Sequence, residues 1–266
     1  MGEFATSWLD LREPHDRAAR STEVEARLLE WVEAADCRVI ADLGAGTGSN
    51  VRALSKRLPG ARTWYLLEND PALIAAGNAL FAADGSTRAH YVEVDLASDL
   101  ERAVPAETDL VTCSALLDLV SAEWIARLAD LVLARGIALL AVLTHDGRIR
   151  WRPGDIHDAR IRQLFEQHQR TDKGFGPALG SNATDELVRR LERNGNVATG
   201  PSPWRLGEHD REMQRALLAG YREAAREMAP TEEEEIDDWV KQRSRLIDAG
   251  RSRLEVGHMD LFYVSG

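Results

Sequence analysis

Residues Val39–Asn50 read VIADLGAGTGSN, an apolar run that ends at an acid and continues into three glycines at alternate positions. Glycine adopts positive φ angles and has no Cβ, so its backbone can come close to a ligand. A strand that turns through such a loop into a helix presents free backbone N–H groups at the turn. The stretch therefore predicts a strand–loop–helix unit that holds a cofactor.

The glycine spacing bears on which cofactor is bound. A dinucleotide-binding loop has the pattern G-x-G-x-x-G/A, whose third glycine packs the helix against the strand beside a pyrophosphate. Here the glycines are Gly44, Gly46 and Gly48, and Ser49 stands at the position of that third glycine. Asp42 precedes the loop, and its carboxylate disfavours a pyrophosphate but favours an ammonium group. The pattern thus disfavours a nicotinamide-dependent dehydrogenase.

The segment Asp42–Gly48 resembles the first motif of the class I S-adenosylmethionine-dependent methyltransferases. The cofactor of that family ends in a zwitterionic amino acid and carries no phosphate. The resemblance implies a Rossmann-like fold, and it places these residues of the segment at the cofactor: Asp42, Gly44, Ala45, Gly46 and Gly48.

A second apolar run, residues 63–67, ends at Glu68, twenty residues beyond Gly48. This distance is about that of one helix and a second strand in a βαβ unit. A carboxylate at the end of that strand can accept hydrogen bonds from both ribose hydroxyls of a nucleoside. The segment Glu68–Pro71 matches the family pattern, which implies cofactor contacts for Glu68 and Asn69, whereas Asp70 is expected to cap the next helix.

Two further runs follow in the order found in the family. Residues 89–94 lead to Asp95 and Leu96; the resemblance places the acid at the adenine amino group and the next residue on the ring. Residues 109–118 resemble the fourth motif, whose strand end, here Ser114, borders the methionine and methyl region. Four pieces in order over residues 38–145 make the resemblance specific.

Strands and helices alternate along this part of the chain. Ser121 is expected to cap a helix that Gly136 ends, and residues 137–144 read as a buried fifth strand. The alternation predicts an α/β fold, a Rossmann-like doubly wound seven-stranded sheet that is mostly parallel, with right-handed crossovers and an antiparallel last strand. Residues 257–264 alternate enough in polarity to be an edge strand, whereas the family inserts this strand between the fifth and sixth.

The 266 residues are expected to form one domain with helical elaborations at both ends. Residues 1–36 would form a lid and a helix, residues 38–145 the cofactor-binding half, and residues 146–266 the substrate-side half. In many relatives such an N-terminal segment folds over the cofactor. Arg20 is the candidate partner of the methionine carboxylate, with Trp8 in the lid; a surface arginine and a tryptophan packed at the domain edge are the alternative.

Composition limits the partners. A net charge of −11 disfavours nucleic acid and acidic membranes, because neutralising phosphates requires a basic surface. The two cysteines, Cys37 and Cys113, fall in or beside apolar runs, which predicts reduced thiols in a cytoplasmic protein. No segment is apolar over a bilayer-spanning length, and no metal-ligand spacing is present. The expectation is a monomer or homodimer with a small-molecule substrate and no metal.

Candidate substrate residues follow the fifth strand. His145 and Asp146 stand where family members often place substrate contacts, and Arg148 comes soon after. His145 could act as a general base because its intrinsic pKa lies near the working pH. A neutral histidine hydrogen-bonded to the backbone is an equal alternative.

The glycine-rich loop of residues 167–180 carries three basic side chains, His168, Arg170 and Lys173. Together they suit a carboxylate or another anion, and His168 is a second candidate for catalysis. A mobile surface loop is the alternative for any one of them. Trp204 is a further candidate substrate contact.

Two helices are expected at about residues 210–250, split near Pro230. They could roof the substrate pocket, with Tyr221, Trp239 and Arg243 facing it, although packing in the core is the stronger expectation for the two aromatic residues.

The sequence thus predicts an S-adenosylmethionine-dependent enzyme that methylates O or N of a small polar, anionic metabolite by in-line displacement and releases S-adenosylhomocysteine. A sulfonium is already an excellent leaving group, so catalysis would consist mainly of alignment, with a base only for a protonated nucleophile. One alternative is a protein or peptide methyltransferase on the same fold. Another is a non-catalytic module that binds S-adenosylmethionine or S-adenosylhomocysteine.

Overall fold

A mixed sheet of eight strands runs through the computed structural model, which describes residues 6–58, 60, 62–84 and 87–266. The strands are β1 (Val39–Leu43), β2 (Thr63–Glu68), β3 (Arg88–Glu93), β4 (Leu110–Ser114), β5 (Ala138–Arg152), β6 (Gly195–Pro201), β7 (Trp204–Leu206) and β8 (Arg253–Ser265). Their order across the sheet is β3-β2-β1-β4-β5-β8-β6, and the short β7 adds to β8 beside this path. Residues 1–5 of the expected lid lie outside the described residues.

Strands β1 to β5 pair in parallel, as the sequence predicted, so their carboxyl ends meet at one edge of the sheet. In register, Leu43 of β1 stands beside Leu67 of β2 and Cys113 of β4. β1 and β4 are buried almost throughout, which accounts for their near-continuous apolar sequence. The confirmed doubly wound order brings the ends of β1, β2 and β4 together.

Helices cover the sheet in the described part of the chain, and Ser121 and Gly136 bound one of them as predicted. The Ser121 side chain accepts a hydrogen bond from Trp124 N at 3.2 Å, and Gly136 ends that helix with φ of 64°. No helix among the described residues combines the length and apolarity needed to cross a bilayer. The helices are α1 (Thr6–Ala19), α2 (Thr22–Ala34), α3 (Ser49–Leu54), α4 (Pro71–Asp84), α5 (Leu96–Ala103), α6 (Ala122–Arg135), α7 (Asp158–Gln169), α8 (Ala183–Leu191), α9 (Arg211–Met228) and α10 (Glu233–Asp248).

Apolar helix faces bury both sides of the parallel half. On one side α5, α6 and α8 contribute Leu100, Leu128 and Leu187 to a core cluster. On the other side α2 and α3 contribute Leu28 and Leu54. A third cluster forms where α7, α9 and α10 pack against the extended ends of β5 and β8. The buried residues of this third cluster come from the half of the chain that the sequence assigned to the substrate.

The expectation that the last strand is an edge is wrong. β8 lies between β5 and β6, with Leu261 and Tyr263 buried, which is the insertion that the family resemblance implied. The alternating polarity suggested an edge strand because a charged residue is usually exposed, but Asp260 is buried. Its carboxylate accepts hydrogen bonds from Ser202 Oγ at 2.5 Å and from Leu143 N at 2.8 Å, so the acid is satisfied inside the protein.

β5 is longer than predicted and runs through His145 to Arg152 instead of ending near Thr144. Its pairing with β8 is interrupted by register shifts on both sides of the Thr144–His145 segment. Gly147, with φ of 84°, lies within the second irregularity. The bulged strand therefore carries His145 inside the sheet rather than on a loop after it.

The helical pair α9 and α10 is confirmed, but only one of its three candidate residues faces a cavity. Tyr221 lines the second cavity described below. Arg243 and Trp239 both donate hydrogen bonds to Asp158, at 2.5 and 2.8 Å, within the third core cluster. Trp239 packs in the third core cluster, as was the stronger expectation for it, whereas Arg243 lines neither cavity because its guanidinium holds α10 on α7 through Asp158.

Candidate active site

A cavity of about 370 Å³, called the first cavity, lies at the carboxyl ends of β1, β2 and β4. Parallel strands that end together deliver their last residues to one edge of the sheet. Eight of the eleven residues that the sequence assigned to the cofactor line it: Asp42, Gly44, Ala45, Gly46, Glu68, Asn69, Leu96 and Ser114.

The loop between β1 and α3 requires glycine for two different reasons. Gly44 and Gly46 have φ of 61° and 54° and line the first cavity. Gly48 has φ of 82° but is not part of the cavity wall, and a Cβ there would stand 2.5 Å from the ring of Phe81. Gly48 therefore allows α4 to pack against the loop. Although the resemblance placed Gly48 at the cofactor, the residue does not line the first cavity.

Asp42 presents one carboxylate oxygen to the first cavity. Its Oδ1 accepts hydrogen bonds from Asn50 Nδ2 and Thr112 Oγ1, each at 2.6 Å. Its Oδ2 is buried and has no hydrogen-bond partner within the described part of the chain. Burial raises the pKa of Asp42 to about 6, against the lowering effect of the Thr112 and Asn50 hydrogen bonds. A buried carboxylate with one free oxygen suits a cationic ligand group.

Glu68 fixes the loop and keeps its carboxylate in the cavity wall. Its Oε2 accepts a hydrogen bond from Gly46 N at 2.8 Å, and its Oε1 accepts from Asn69 N and Asp70 N at 2.9 and 3.0 Å. A carboxylate offers about four acceptor positions, and three are used here, so Oε2 can accept one further hydrogen bond. Glu68 can therefore receive one hydroxyl group of a ligand while the loop holds it in place.

Asp95 does not line the first cavity. It is exposed and caps α5, where its Oδ1 accepts a hydrogen bond from Ala97 N at 2.9 Å. The following residue, Leu96, is the one that reaches the cavity wall. Asp95 is thus an exposed helix cap in this structure, outside the wall of the first cavity.

Arg20 also lies outside the wall of the first cavity. Its Nη2 donates a hydrogen bond to Asn50 Oδ1 at 2.6 Å, and Asn50 in turn donates to Asp42. Arg20 therefore supports Asp42 from behind through one intermediate side chain. The arginine of the N-terminal segment that does line the cavity is Arg12, which the sequence gave no reason to single out.

A second cavity of about 660 Å³ adjoins the first and shares with it the wall residues Arg12, Ala115 and Leu119. Apolar and aromatic side chains make up most of its wall, for example Phe165 and Tyr221. Four of the residues that the sequence assigned to substrate or catalysis line this cavity: His145, His168, Lys173 and Trp204.

Asp146, Arg148 and Arg170 lie outside the second cavity. Successive residues of a strand point to opposite faces, so Asp146 faces away from the cavity that His145 lines. The Asp146 carboxylate accepts a hydrogen bond from Arg148 Nε at 2.8 Å, and the pair lies over Gly257. Arg170 is exposed just after α7. The structure thus gives these three charged side chains no substrate contact in either cavity.

His145 is a buried, neutral imidazole in the wall of the second cavity. Burial lowers the pKa of His145 to about 4, against the raising effect of the Asp146 charge. Its Nδ1 accepts a hydrogen bond from Gly147 N at 3.3 Å, which places the ring proton on Nε2. Nε2 is buried without a partner among the described residues. The expected general base is therefore, in this arrangement, a hydrogen-bond donor and a weak base.

Asp118 is the site residue that sequence reasoning missed. It lies in the turn after β4, buried, in the wall of the second cavity. Burial raises the pKa of Asp118 to about 6, against the lowering effect of backbone N–H groups and of Arg12. The signal was a single acid inside an otherwise apolar run, residues 115–120. Such an acid is costly to bury, and it reads as a loop residue when the fold is unknown.

Lys173 and His168 form the basic part of the second cavity. Lys173 Nζ lies 3.5 Å from His168 Nε2, and that nitrogen lies 3.1 Å from the Glu227 carboxylate. Burial lowers the pKa of Lys173, against the raising effect of Glu227. The grouping of these two side chains agrees with the expected anion-binding loop, without Arg170.

Helix α1 closes both cavities on one side. Leu9, Arg12 and Asp16 line the first cavity, and Trp8 and Arg12 line the second. The Arg12 guanidinium donates to the Asp16 carboxylate at 2.8 Å.

The same carboxylate fastens α1 to β7. Trp204 Nε1 donates a hydrogen bond to Asp16 Oδ1 at 2.9 Å, and the Arg12 guanidinium lies 5.1 Å above the Trp204 ring. This network holds Trp204 in the wall of the second cavity. Asp16 is the only buried residue among the described positions of α1.

Two residues with strained backbone line the second cavity, and one of them, Ala115, also lines the first. Ala115, after β4, has φ of 52°, and Leu143, in β5, has φ of 57°. Ala115 N donates a hydrogen bond to Val142 O at 3.0 Å, and Leu143 N donates to Asp260 Oδ1 at 2.8 Å. Such conformations cost energy in non-glycine residues and persist where the surrounding hydrogen bonds impose them, often at functional sites.

Comparison with known proteins identifies the part of the chain that carries the first cavity. Residues 40–135 match a family model described as a methyltransferase domain. This segment extends from β1 to the end of α6 and includes Asp42, Glu68 and Asp118. A search of curated proteins finds no match.

Solved structures share the fold. The YcgJ protein from Bacillus subtilis is similar at 11% identity and a TM-score of 0.50, over 91% of this chain and 99% of that one. TehB from Haemophilus influenzae is similar at 11% identity and a TM-score of 0.50, over 92% of this chain. The chain spans 64% of TehB, less than two thirds of its length. At these identities the likeness concerns the fold alone.

Proposed function

We propose that the chain is a class I S-adenosylmethionine-dependent methyltransferase, as its methyltransferase domain supports, and that it methylates an oxygen or nitrogen atom of a small anionic molecule bound in the second cavity. The observation that carries the proposal is the shared wall of the two cavities at Arg12, Ala115 and Leu119. When bound, S-adenosylmethionine supplies a methyl group on a sulfonium that needs no further activation. A donor in the first cavity and an acceptor in the second come together at this shared wall.

We assign the cofactor to three parts of the first cavity. The free Oδ2 of Asp42 would take the ammonium group of the methionine end. Glu68, held by the loop backbone, would accept a hydrogen bond from a ribose hydroxyl at Oε2, and Leu96 would pack on the adenine. Ser114 would lie near the methyl group, at the end of β4. These assignments fit the acceptor set, since a cation and a hydroxyl group require acceptors.

The acceptor is proposed from the wall of the second cavity. Its volume suits a molecule of drug-like size, within the range of small-ligand pockets. Lys173 supplies a positive charge with room for an anion, which supports an acidic group on the acceptor. The aromatic and aliphatic remainder of the wall supports an apolar body as well, so the acceptor is less uniformly polar than composition and loop chemistry suggested.

The chain contributes mainly alignment and the exclusion of water. Holding two reactants in a near-attack arrangement can supply roughly 7–11 kcal/mol of the barrier. The roof formed by α1, α7 and α9 would enclose the acceptor, and the wall residues Trp8, Phe165 and Tyr221 support this role. The strained turn at Ala115 sets the wall at which the reacting groups meet.

The first test is cofactor binding, measured by titration calorimetry with S-adenosylhomocysteine. The wild-type chain is expected to bind, and Glu68→Ala is expected to weaken binding at least about tenfold, since hydrogen bonds to a charged group are worth about 1.5–3 kcal/mol. Glu192→Ala, a substitution of an exposed glutamate just after α8, is the matched control. Absence of binding by the wild-type chain would refute the proposal.

The second test is transfer of labelled methyl groups to a panel of small carboxylic acids, with uncharged analogues for comparison. The expected result is labelling of acidic members, with Lys173→Ala raising KM about tenfold while kcat changes little. Labelling of protein or RNA, with no labelled small molecule, would contradict the proposed acceptor class.

A further inference from the structure

The second cavity holds several buried polar atoms that the protein itself leaves unsatisfied. Among the described residues, Asp118 Oδ1 and His145 Nε2 are buried without hydrogen-bond partners, as are Nδ1 of His168 and of His258. All four residues belong to the wall of this cavity. Native proteins leave few such atoms without a reason, and their concentration in residues that line one cavity points to a ligand that satisfies them.

Asp118 directly precedes Leu119, a residue that lines both cavities. It lies in the turn Leu117–Leu119 that follows β4. Ala115, before this turn, and Leu119, at its end, line both cavities. Its backbone position is fixed by the hydrogen bonds of Leu119 N to Leu116 O at 3.0 Å and of Leu179 N to Val120 O at 2.9 Å. The carboxylate is therefore presented by a held segment at the site of methyl transfer.

Asp118 and His145 offer opposite hydrogen-bonding roles. An ionised carboxylate only accepts hydrogen bonds, whereas the neutral imidazole of His145, with Nδ1 occupied by Gly147 N, only donates through Nε2. The backbone N–H of His145 also lies close enough to the Asp118 carboxylate to affect its pKa. One acceptor and one donor thus belong to the wall of the same cavity.

We propose that Asp118 is the general base of this enzyme and that the acceptor is an aromatic hydroxy acid, whose hydroxyl group lies between Asp118 and His145 Nε2. This inference rests on the proposed function and names its acceptor and a catalytic residue.

A hydroxyl group matches this pair better than an amine. Its hydrogen is donated to Asp118, one oxygen lone pair accepts from His145 Nε2, and a second lone pair remains for attack. A neutral amine has a single lone pair, which a hydrogen bond from His145 would occupy. The donor therefore selects oxygen over nitrogen.

The rest of the wall specifies the acceptor body and its acid. The rings of Phe165 and Tyr221 lie edge to face at 4.8 Å, and those of Trp204 and His258 at 4.6 Å, which favours a flat aromatic ligand that continues such contacts. Lys173 supplies the cation for the carboxylate of the acceptor.

The step balances without a further reactant. The hydroxyl oxygen forms a bond to the methyl carbon as the carbon–sulfur bond breaks, and that electron pair remains on sulfur. The hydroxyl proton passes to the Asp118 carboxylate, so a sulfonium and a carboxylate become a neutral thioether and a neutral carboxylic acid. Asp118 then releases its proton to water before the next turnover.

The test uses the full-length enzyme with three matched probes, 4-hydroxyphenylacetate, 4-aminophenylacetate and phenylacetate. Labelled methyl transfer is expected to the hydroxyl compound alone. Asp118→Asn is expected to lower kcat about 10²–10⁴-fold, the usual contribution of a general base, with unchanged affinity for S-adenosylhomocysteine. Asp238→Asn, at an exposed site on α10, is the matched control. Transfer to the amine, or to neither nucleophile, would overturn the acceptor class.

The pH profile separates Asp118 from His145 as the base. In the wild type, kcat/KM is expected to fall below pH about 6 as Asp118 is protonated. This acid limb should persist in His145→Phe and disappear in Asp118→Asn; the reverse pattern would overturn the assignment. The charged and titratable groups that share the wall with Asp118 are Arg12, His145, His168, Lys173, Tyr221, Glu223 and His258.

A binding measurement does not depend on turnover. With S-adenosylhomocysteine present, calorimetry is expected to show 4-hydroxyphenylacetate binding about tenfold or more tightly than phenylacetate, and Asp118→Asn is expected to remove this preference. An equal preference in the variant would overturn the role of Asp118. Failure of the proposed function would differ, because S-adenosylhomocysteine itself would then fail to bind.

Discussion

Asp42 and Asp118 share one physical feature at the residue scale, a buried carboxylate with an oxygen that the protein does not satisfy. Burial raises the pKa of each to about 6. An ionised carboxylate held this way costs folding free energy, and such costs are typical of functional sites. Asp42 lines the first cavity and Asp118 the second, where we propose that cofactor and acceptor bind.

Replacing Asp42 by asparagine is expected to stabilise the fold and weaken cofactor binding. The folded pKa of about 6 lies above the unfolded value of 3.8, so ionisation opposes folding. At pH 8 the carboxylate costs roughly 3 kcal/mol, since each pKa unit corresponds to about 1.4 kcal/mol. An asparagine Oδ1 retains the hydrogen bonds from Asn50 and Thr112 without this cost.

Thermal unfolding at several pH values measures this effect. Asp42→Asn is expected to raise Tm at pH 8, and the gain should shrink as the pH falls from about 6 toward 3.8. Affinity for S-adenosylhomocysteine should fall about tenfold or more, because the ammonium loses a charged partner. A variant that binds as well as the wild type would show that Asp42 does not contact the cofactor.

Helix α1 is the element whose position depends most on the rest of the protein. Pro14 lies inside it and removes one helical N–H, which weakens an already short helix. Its anchors are tertiary: the hydrogen bond from Trp204 to Asp16, and the Arg52 Nε to Glu13 hydrogen bond at 3.2 Å. Because α1 contributes walls to both cavities, its docking determines whether either cavity is closed.

A variant that begins at Arg20 is expected to fold but to bind S-adenosylhomocysteine about tenfold or more weakly, a loss of about 1.4 kcal/mol or more. It lacks Leu9, Arg12 and Asp16, and so exposes the first cavity to water, while Arg20 remains to support Asn50. Calorimetry gives the affinity, and far-UV circular dichroism confirms the fold. Undiminished affinity would show that α1 plays no part in retaining the cofactor.

On the scale of the whole molecule, the single sheet connects the cofactor loop to the substrate-side helices. β8 pairs with β5, β6 and β7, and Asp260 within it bonds to Ser202 and Leu143. The third core cluster packs on the same long strands. Ligand binding at the strand ends should therefore stabilise the fold as a unit.

Saturating S-adenosylhomocysteine is expected to raise Tm by roughly 5–10 °C. At a hundredfold excess over Kd, binding adds about 2.7 kcal/mol, and each kcal/mol raises Tm by roughly 2–4 °C in a protein of this size. Differential scanning calorimetry measures the shift, with Glu68→Ala as the variant expected to lose most of it. A shift that Glu68→Ala leaves unchanged would place the ligand outside the first cavity.

The sequence by itself determined the parallel half of the fold and most of the first cavity. The order of strands, the carboxylates at the ends of β1 and β2, and the caps at Ser121 and Gly136 are local patterns, because strand ends and helix caps are set by neighbouring residues in the chain. Because the parallel strands end at one edge of the sheet, a residue at the end of a strand also lies at the site.

Only the tertiary structure decided the rest. It showed Gly48 packed on Phe81, Asp95 used as a cap and Asp260 buried within an internal strand. It also made His145 a donor and left Asp118 with an unsatisfied oxygen in a cavity wall. The physical reason is that burial, hydrogen-bond partners and pKa arise from residues distant in sequence, and no local pattern records which polar atoms those contacts leave free.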